Sequence, residues 1–110
     1  MLPKRRRVRR SDDFAAVIRG GRRGGSRLVV VYAAPAPDGA WKAGFIVSKA
    51  VGDSVERHRV TRRLRAIAAA RLPDVAPPRH VVVRALKGSA SCAYRELDDA
   101  VRAGLAKAAR

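Results

Sequence analysis

The stretch VSKAVGDSVERHRVTRRLR, residues 47–65, contains the end of one structural element and the start of the next. VSK closes an apolar run, and the glycine that follows shortly after it breaks the run. Asp53, with Glu56 three residues later, is typical of a capping box, the reciprocal pair of hydrogen bonds that begins a helix. We expect this helix to run to about Arg71, before Pro73. The stretch therefore predicts a strand, a turn and a long helix in succession.

Three strands are predicted around this stretch. RLVVVYAA (27–34) and WKAGFIVS (41–48) are rich in β-formers, and the residues PAPDG between them favour a hairpin. Trp41 begins the second of these strands and is expected to cover the sheet edge. HVVVRAL (80–86) predicts a third strand, buried or half-buried.

Two further helices are predicted towards the ends of the chain. Ser11 can cap a short helix that stops at Gly20 and Gly21, and Ser91 can cap a final helix. One side of that final helix carries Tyr94, Leu97, Val101 and Leu105. The order α-β-β-α-β-α predicts the α+β class, as a single small sandwich of one mostly antiparallel sheet with packed helices.

The composition fits one globular domain preceded by a charged segment. The chain has 110 residues, of which 47% are hydrophobic and 31% charged, and such a balance is typical of globular rather than disordered proteins. Residues 1–10 contain KRRRVRR and are predicted to form a basic N-terminal arm, disordered until it meets a partner. Residues 11–110 are predicted to form the single domain.

The charge of the chain indicates an anionic partner. Lys and Arg number 25 against 9 Asp and Glu, which gives a formal net charge of +16. A compact body with this charge repels itself unless an anion neutralises it. A solvated charged face is the ordinary alternative, but such helices mix both signs, and between Arg57 and Arg71 there is no acid. The imbalance favours a nucleic acid as the partner.

The predicted long helix has an apolar side and a cationic side. At about 100° per residue, Val60, Leu64 and Ile67 fall together and face the core. The remaining sides carry Arg57, His58, Arg59, Arg62, Arg63 and Arg65. One helix therefore offers both a face for docking to the core and a face for binding phosphates.

Residues outside this helix are further candidates for contacts with RNA. Phe14 and Tyr32 can offer ring faces to unpaired bases, although both can equally be core aromatics. Ser48 and Lys49, at a strand end beside a glycine turn, can offer a hydroxyl and an ammonium group to a phosphate. A plain strand terminus explains these two residues as well.

The sequence lacks the motifs of a self-sufficient enzyme. It contains no phosphate-binding loop, no HExxH motif and no paired cysteines. The lone Cys92 excludes an internal disulfide, so a reducing compartment, the cytoplasm, is expected. No segment approaches the roughly 20 apolar residues of a membrane span. We therefore expect no membrane partner and no small-molecule substrate, while metal binding by the protein is left open.

VSKAVGDSVERHRVTRRLR resembles the signature of the bacterial ribonuclease P protein subunit family, whose pattern is V-S-K-K-x-G-x-A-V-x-R-N-R-x-K-R-x-x-R. The matching residues are Val47, Ser48, Lys49, Gly52, Val55, Arg57, Arg59, Arg62 and Arg65. The surroundings are similar too: a basic N-terminal segment, then Asp13 and Phe14 with an apolar residue four positions on, then a strand that ends in Tyr32. The resemblance covers about residues 3 to 105.

The resemblance implies a function that the residues alone do not give. Proteins of this family assist a catalytic RNA in the endonucleolytic removal of the 5′ leader from precursor tRNA. Metal ions, Mg²⁺ held mainly by the RNA, do the chemistry, so no catalytic residue is expected in the protein. The implied partners are ribonuclease P RNA, as one RNA chain per protein, and precursor tRNA. The family fold also implies a left-handed β-α-β crossover, against the general preference for right-handed ones.

The resemblance assigns roles to residues by their position. Contacts with the RNA subunit are implied for Ser48, Lys49, Arg57, His58, Arg59, Arg62, Arg63 and Arg65. Contacts with the single-stranded leader, in a cleft between the first helix and the sheet, are implied for Phe14, Ile18 and Tyr32. Three positions depart from the family pattern: His58 stands in place of Asn, Thr61 in place of Lys, and Ile18 in place of an aromatic residue.

Two other functions are compatible with the charge and size of the chain. A structural RNA-binding protein, such as a small ribosomal component, would bind ribosomal RNA and give no gain in cleavage of precursor tRNA. A protein-only nuclease would cut RNA without an RNA subunit, but the sequence shows no cluster of acids to support it. The protein subunit of ribonuclease P is the main interpretation.

Overall fold

The sheet of this protein has four strands, and helices lie against both of its faces. A computed structural model describes residues 2–109, so Met1 and Arg110, the outer ends of the predicted arm and domain, lie outside the described residues. In chain order the helices and strands are α1 (Ser11–Gly20), β1 (Arg22–Gly25), β2 (Val29–Pro35), β3 (Lys42–Ile46), α2 (Ser54–Arg71), β4 (Arg79–Ala85) and α3 (Tyr94–Ala108). Short 3-10 turns occur at Lys4–Arg6, Leu72–Asp74 and Lys87–Ala90. The predicted α+β class is confirmed.

The strands lie in the order β1-β2-β4-β3. β1 pairs antiparallel with β2, β2 pairs antiparallel with β4, and β4 pairs parallel with β3. The predicted hairpin between β2 and β3 is therefore wrong, because β4 lies between them. The residues PAPDG reverse the chain, which is a local property, whereas the choice of pairing partner depends on a strand that comes much later. β1 and β2 form a hairpin instead, and β1 is missing from the predicted order because RRGG lacks β-formers.

α2 connects the adjacent parallel strands β3 and β4. The predicted capping box is present: the backbone N–H of Glu56 donates to Asp53 Oδ1 at 2.8 Å, and the backbone N–H of Asp53 donates to Glu56 Oε1 at 3.1 Å. The helix ends at Arg71, as predicted. Its predicted core residues are all buried: Val60, Leu64 and Ile67. The left hand of the β3-α2-β4 crossover stays a prediction.

The two faces of the sheet are covered unequally. On one face, alternate residues of β2 and β4 pack against α2 and α3 in a large core that includes Val31, Val83, Leu64, Ile67 and Leu97. On the other face, the ten-residue helix α1 closes a small cluster that contains Val17, Val30, Tyr32 and Val82. Much of the second face is therefore bordered by loops and by the N-terminal segment instead of by helices.

The predicted helix caps at Ser11 and Ser91 are wrong. Ser11 is the first residue of α1, and this helix has no side-chain cap. Ser91 ends a 3-10 turn, and α3 begins three residues later, after Ala93. The carboxylate of Glu96 in the first turn accepts the backbone N–H of Ala93 at 3.0 Å, so the side-chain contact at the start of α3 comes from within the helix and not from a serine before it. Tyr94, predicted on the apolar side of this helix, is 43% exposed.

An ion pair joins α2 to α3. Arg71 Nη2 donates to Asp98 Oδ2 at 2.7 Å, and Arg71 Nε donates to Asp98 Oδ1 at 3.1 Å. This two-point contact lowers the pKa of Asp98 and raises the pKa of Arg71. The end of α2 is thus fixed to α3 by a contact at the edge of the core.

The N-terminal segment is packed against the sheet, unlike the disordered arm expected from its charge. Leu2 is fully buried, and Val8 is 7% exposed. The backbone N–H of Val8 donates to the carbonyl of Ala43 in β3 at 2.9 Å. The expectation of disorder fails because these two apolar residues among the charges give the segment anchors in the core. The division of the chain into an arm and a domain stays a prediction.

Candidate nucleic-acid interface

The outward side of α2 presents the cations that the sequence places there. His58 and Arg62 are exposed, and Arg57 and Arg65 are half-buried. The Nε atoms of Arg57 and Arg65 are buried, and neither has a hydrogen-bond partner within residues 2–109. A buried donor without a partner costs about 1–3 kcal/mol. A phosphate bound by these guanidinium groups would supply a negative charge. Its oxygens are also the hydrogen-bond acceptors that guanidinium groups favour.

Arg59 and Arg63 differ from these four residues because they bind the protein itself. Arg59 Nη2 donates to the carbonyl of Ala90 at 2.7 Å, and Arg63 Nη1 donates to the carbonyl of Cys92 at 3.2 Å. Both acceptors lie in the segment that connects β4 to α3. These two guanidinium groups therefore help to position that segment, a role that helical periodicity could not have revealed.

Ser48 and Lys49 lie in the turn between β3 and α2. β3 ends at Ile46, earlier than predicted, and both residues are exposed. The backbone N–H of Val51 donates to the carbonyl of Ser48 at 3.0 Å and closes the turn. The turn thus holds the hydroxyl of Ser48 and the ammonium group of Lys49 just before the N-terminus of α2, the helix that carries the exposed cations.

Phe14 of α1 lies on β3 over Gly44. A Cβ atom at Gly44 would lie 2.7 Å from the Phe14 ring and 2.8 Å from Cβ of Val8. The strand therefore needs glycine at this position for α1 and the N-terminal segment to approach it. Phe14 is half-buried, so part of its ring surface is accessible.

Ile18 and Tyr32 belong to the same small cluster under α1. Ile18 is half-buried at its border, and Tyr32 is 9% exposed. The guanidinium of Arg84 lies 5.9 Å from the centroid of the Tyr32 ring, a distance compatible with a cation–π contact. Tyr32 therefore offers little free surface, and contact between Tyr32 and a leader stays a prediction.

A groove joins the two predicted sites. This cavity of about 320 Å³ lies between the N-terminal segment, α1, β3 and α2. Its lining includes Phe14 and Gly44 on one side and Thr61 and Arg65 of α2 on the other. The hydroxyl of Thr61 donates to the carbonyl of Arg57 at 2.9 Å within the helix, so this side chain is directed to its own backbone. We name this cavity the Phe14 groove.

A second groove, of about 380 Å³, runs between α1 and the sheet along the helix from Asp13 to Gly20. Its lining includes Lys42 and His80, neither of which was a candidate in the sequence. His80 Nε2 lies 3.7 Å from Asp38 Oδ1. The pKa of Asp38 is lowered, first by the backbone N–H of Ala40, which donates to its carboxylate at 3.1 Å.

The groups that could hold a metal or act as a nucleophile are few. Within residues 2–109, His, Cys, Asp and Glu form no group of three that could hold a metal ion. Burial raises the pKa of the Cys92 thiol, which donates to the carbonyl of Ser89 at 3.4 Å. A thiol with a raised pKa is a poor nucleophile.

Several proteins with similar sequences belong to the same family. The sequence profile of the ribonuclease P family matches residues 2–109. The ribonuclease P protein component of Acidothermus cellulolyticus is 47% identical over 103 residues, which cover 88% of this chain and 82% of that relative. This chain belongs to the ribonuclease P protein family. The protein component of Rhodococcus opacus is 46% identical over 112 residues, covering 96% of this chain and 90% of the relative.

Solved structures of ribonuclease P proteins have the same fold. The protein from Staphylococcus aureus superposes with a TM-score of 0.83 at 20% identity, covering 96% of this chain and 98% of that one. The protein from Thermotoga maritima gives a TM-score of 0.76 at 17% identity, covering 87% of this chain and 91% of that one. The main interpretation of the sequence, a protein component of ribonuclease P, is confirmed, and the alternative of a ribosomal component has no support.

The helices among residues 2–109 are each too short or too polar to span a lipid bilayer. The surface with the predicted RNA contacts lies on the outer side of α2 and around α1. Which of these residues touch RNA stays a prediction.

Proposed function

We propose that this protein assists the RNA subunit of ribonuclease P in removing the 5′ leader from precursor tRNA. In this proposal the outward side of α2, with Ser48 and Lys49, binds the RNA subunit. The Phe14 groove, with Ile18 and the edge of Tyr32, binds the single-stranded leader. Mg²⁺ ions held mainly by the RNA carry out the hydrolysis, and the protein contributes binding and charge.

The observation that supports this proposal most is the Phe14 groove. It opens between a half-buried aromatic ring and the cationic helix, with Arg65 in its lining. A ring for stacking beside cations for phosphates is the combination that single-strand binding needs. A purely duplex-binding surface would need no accessible ring.

The remaining partners follow from the family. We propose one RNA chain per protein, precursor tRNA as the substrate, and no small-molecule substrate or membrane partner. The lone Cys92 and the partner RNA favour the cytoplasm as the location.

Reconstitution with the RNA subunit tests the proposal. The protein should lower the Mg²⁺ concentration needed for cleavage, since a formal net charge of +16 screens repulsion between RNA chains. It should also improve discrimination of precursor from mature tRNA. Cleavage rates measured at low Mg²⁺ with and without protein decide this, and equal rates would reject the proposal.

Phe14 allows the leader contact to be tested separately. Phe14→Ala should weaken binding of a precursor with a leader of several nucleotides by about 1–3 kcal/mol, the size of one stacking contact. Affinity for mature tRNA should not change. Phe14→Leu is the matched control for packing over Gly44, because it keeps apolar volume and removes the ring. Equal losses for both ligands in both variants would show that Phe14 serves the fold.

A further inference from the structure

The N-terminal segment, residues 2–10, is fixed to the edge of the sheet by polar contacts as well as by its buried apolar residues. Arg7 Nε donates to the carbonyl of Leu2 at 2.9 Å and folds the segment back on itself. The guanidinium of Arg6 lies 4.7 Å from the ring centroid of Trp41, and its Nη1 donates to the Trp41 carbonyl at 3.3 Å. Two arginines of the run KRRRVRR are therefore occupied in holding the segment in place.

Most cations of the segment, Arg7 among them, converge with Lys42 of β3 on a concave surface. A cavity of about 730 Å³, which we name the N-terminal basin, is lined by Lys4, Arg5, Arg7, Arg9, Arg10 and Lys42. Asp13 is an acid in the same lining. Within the part of the chain that the structure describes, no carboxylate forms an ion pair with these six cations. Six cations that converge beside a single carboxylate repel each other, and a polyanion would relieve this repulsion.

The N-terminal basin is continuous with the surfaces around α1. Arg7 lines the basin, the Phe14 groove and the groove beside His80. Arg9 lines the basin and also reaches the hollow that Phe14 shares with Ile46. A strand lying on Phe14 can therefore pass into the basin without leaving cationic surface.

We propose that the N-terminal basin binds the phosphodiester backbone of the leader beyond the nucleotides that lie at Phe14. This inference extends the proposed function and rests on it. The basin is lined by charged residues and contains no aromatic ring in its lining. The basin therefore binds the charged backbone and does not distinguish the bases, because base stacking needs an aromatic ring. The continuity with the Phe14 groove selects a single strand as its occupant.

The experiment uses the complex of protein and RNA subunit with precursor tRNAs whose leaders have about two or about ten nucleotides, a range that spans known single-strand site sizes. The basin variant is Lys4→Gln/Arg5→Gln/Arg10→Gln, three exposed positions that line the basin but not the Phe14 groove and have no side-chain hydrogen bond in the described structure. The control variant is Lys87→Gln/Arg95→Gln/Arg102→Gln. These substitutions neutralise three exposed cations in or near α3 and so remove the same charge as the basin variant. Affinity for each precursor is measured over a salt series.

The basin variant should lose affinity for the long leader, and the slope of log affinity against log salt should fall by about 0.7 for each lost contact. Its affinity for the short leader should match that of the wild type, and the control variant should bind both leaders normally. Lysine at the three basin positions should restore long-leader binding, which separates loss of charge from a disturbed fold. Unchanged long-leader affinity would overturn the inference.

An equal loss with both leaders would also overturn the inference, because it would place the basin against the RNA subunit or the tRNA body. Phe14→Ala in the same assay separates this inference from the proposed function. If Phe14→Ala weakens leader binding and the basin variant does not, the proposed function holds and the basin has no role in it. If neither variant affects the leader, the leader site itself is wrong.

Discussion

The face of the sheet under α2 and α3 differs from the face under α1 in what it buries and in what surrounds it. The first face is closed by two long helices over a large apolar core. The second is closed by one short helix over a small cluster, and grooves lined by cations lie around that helix. Apolar burial is the main source of folding free energy, so the first face supplies most of the stability.

This difference explains how a small domain can carry a large positive charge. The charge is placed where little of the core depends on it, on the outer side of α2 and along the N-terminal segment. The exceptions donate to backbone carbonyls: Arg59 and Arg63 on α2, and Arg6 and Arg7 in the N-terminal segment. Variants on the two faces should therefore separate into effects on stability and effects on RNA binding.

The largest effect is expected from truncating the core under α2. Leu64 is 1% exposed, and Leu64→Ala should lower the free energy of unfolding by about 2–5 kcal/mol. Ile18→Ala, a truncation on the opposite face at a half-buried position, should lower it by about 1 kcal/mol. Urea unfolding of the free protein measures both values. Equal losses of unfolding free energy would contradict the claim that the face under α2 and α3 supplies most of the stability.

The second effect concerns the arginines that bind the backbone. Arg59→Gln/Arg63→Gln should lower the free energy of unfolding by about 2–3 kcal/mol in total, since two charged hydrogen bonds are lost. Arg62→Gln is the control, an exposed arginine on the same helix, and should change stability by less than about 0.5 kcal/mol. Melting curves of the free proteins distinguish the two. A stable double variant would mean that these hydrogen bonds do not hold the segment before α3.

A third variant disturbs the second face at one point. Gly44→Ala places a Cβ against the Phe14 ring and Val8, and this overpacking should cost about 1–2 kcal/mol. It should also weaken binding of the leader, because the ring must move. Gly25→Ala is the matched control in an edge strand, since a Cβ there would meet nothing within 4 Å. Leader binding that is equal in the two variants would argue against a role for the position of the Phe14 ring.

The smallest effect on stability is expected at acid pH from the Arg71–Asp98 ion pair. Because the folded pKa of Asp98 is lowered by Arg71, the pair stabilises the fold above the unfolded pKa of about 3.9, and this contribution is lost as the pH falls through the folded pKa. Asp98→Asn should remove this part of the acid dependence, and Arg71→Gln should do the same. Urea unfolding at neutral and acid pH checks both variants. An acid dependence identical to that of the wild type would show that the pair contributes no stability.

Local signals in the sequence were sufficient for much of the fold. The capping box at Asp53 and Glu56, the end of α2 at Arg71 and the apolar side of that helix depend on residues close together in the chain. The pairing of β4 between β2 and β3 depends on residues 38 to 56 positions apart, and no local turn signal predicts it. Strand β1 is formed by pairing with β2, because RRGG has no propensity of its own.

The sequence predicted which residues make up the candidate site, but not which groups these residues contact. Helical periodicity separates the outward residues from the core of α2, but it cannot show that Arg59 meets the carbonyl of Ala90, which lies 31 residues later. The charge of the N-terminal run predicted an arm, whereas Leu2 and Val8, the apolar residues within it, were the signal for packing. Apolar residues that alternate with cations are the pattern that would have indicated the N-terminal basin.

The central claim is that RNA binds on the side of α1 and outer α2, and not on α3. The direct test measures assembly with the RNA subunit over a salt series for Arg62→Gln/Arg65→Gln and for Arg95→Gln/Arg102→Gln, two pairs that remove the same charge. The account predicts that the slope of log affinity against log salt falls by roughly 1.5 for the α2 pair, about 0.7–0.9 for each contact, and does not change for the α3 pair. Equal changes for the two pairs would contradict it, since net charge alone would then explain the binding.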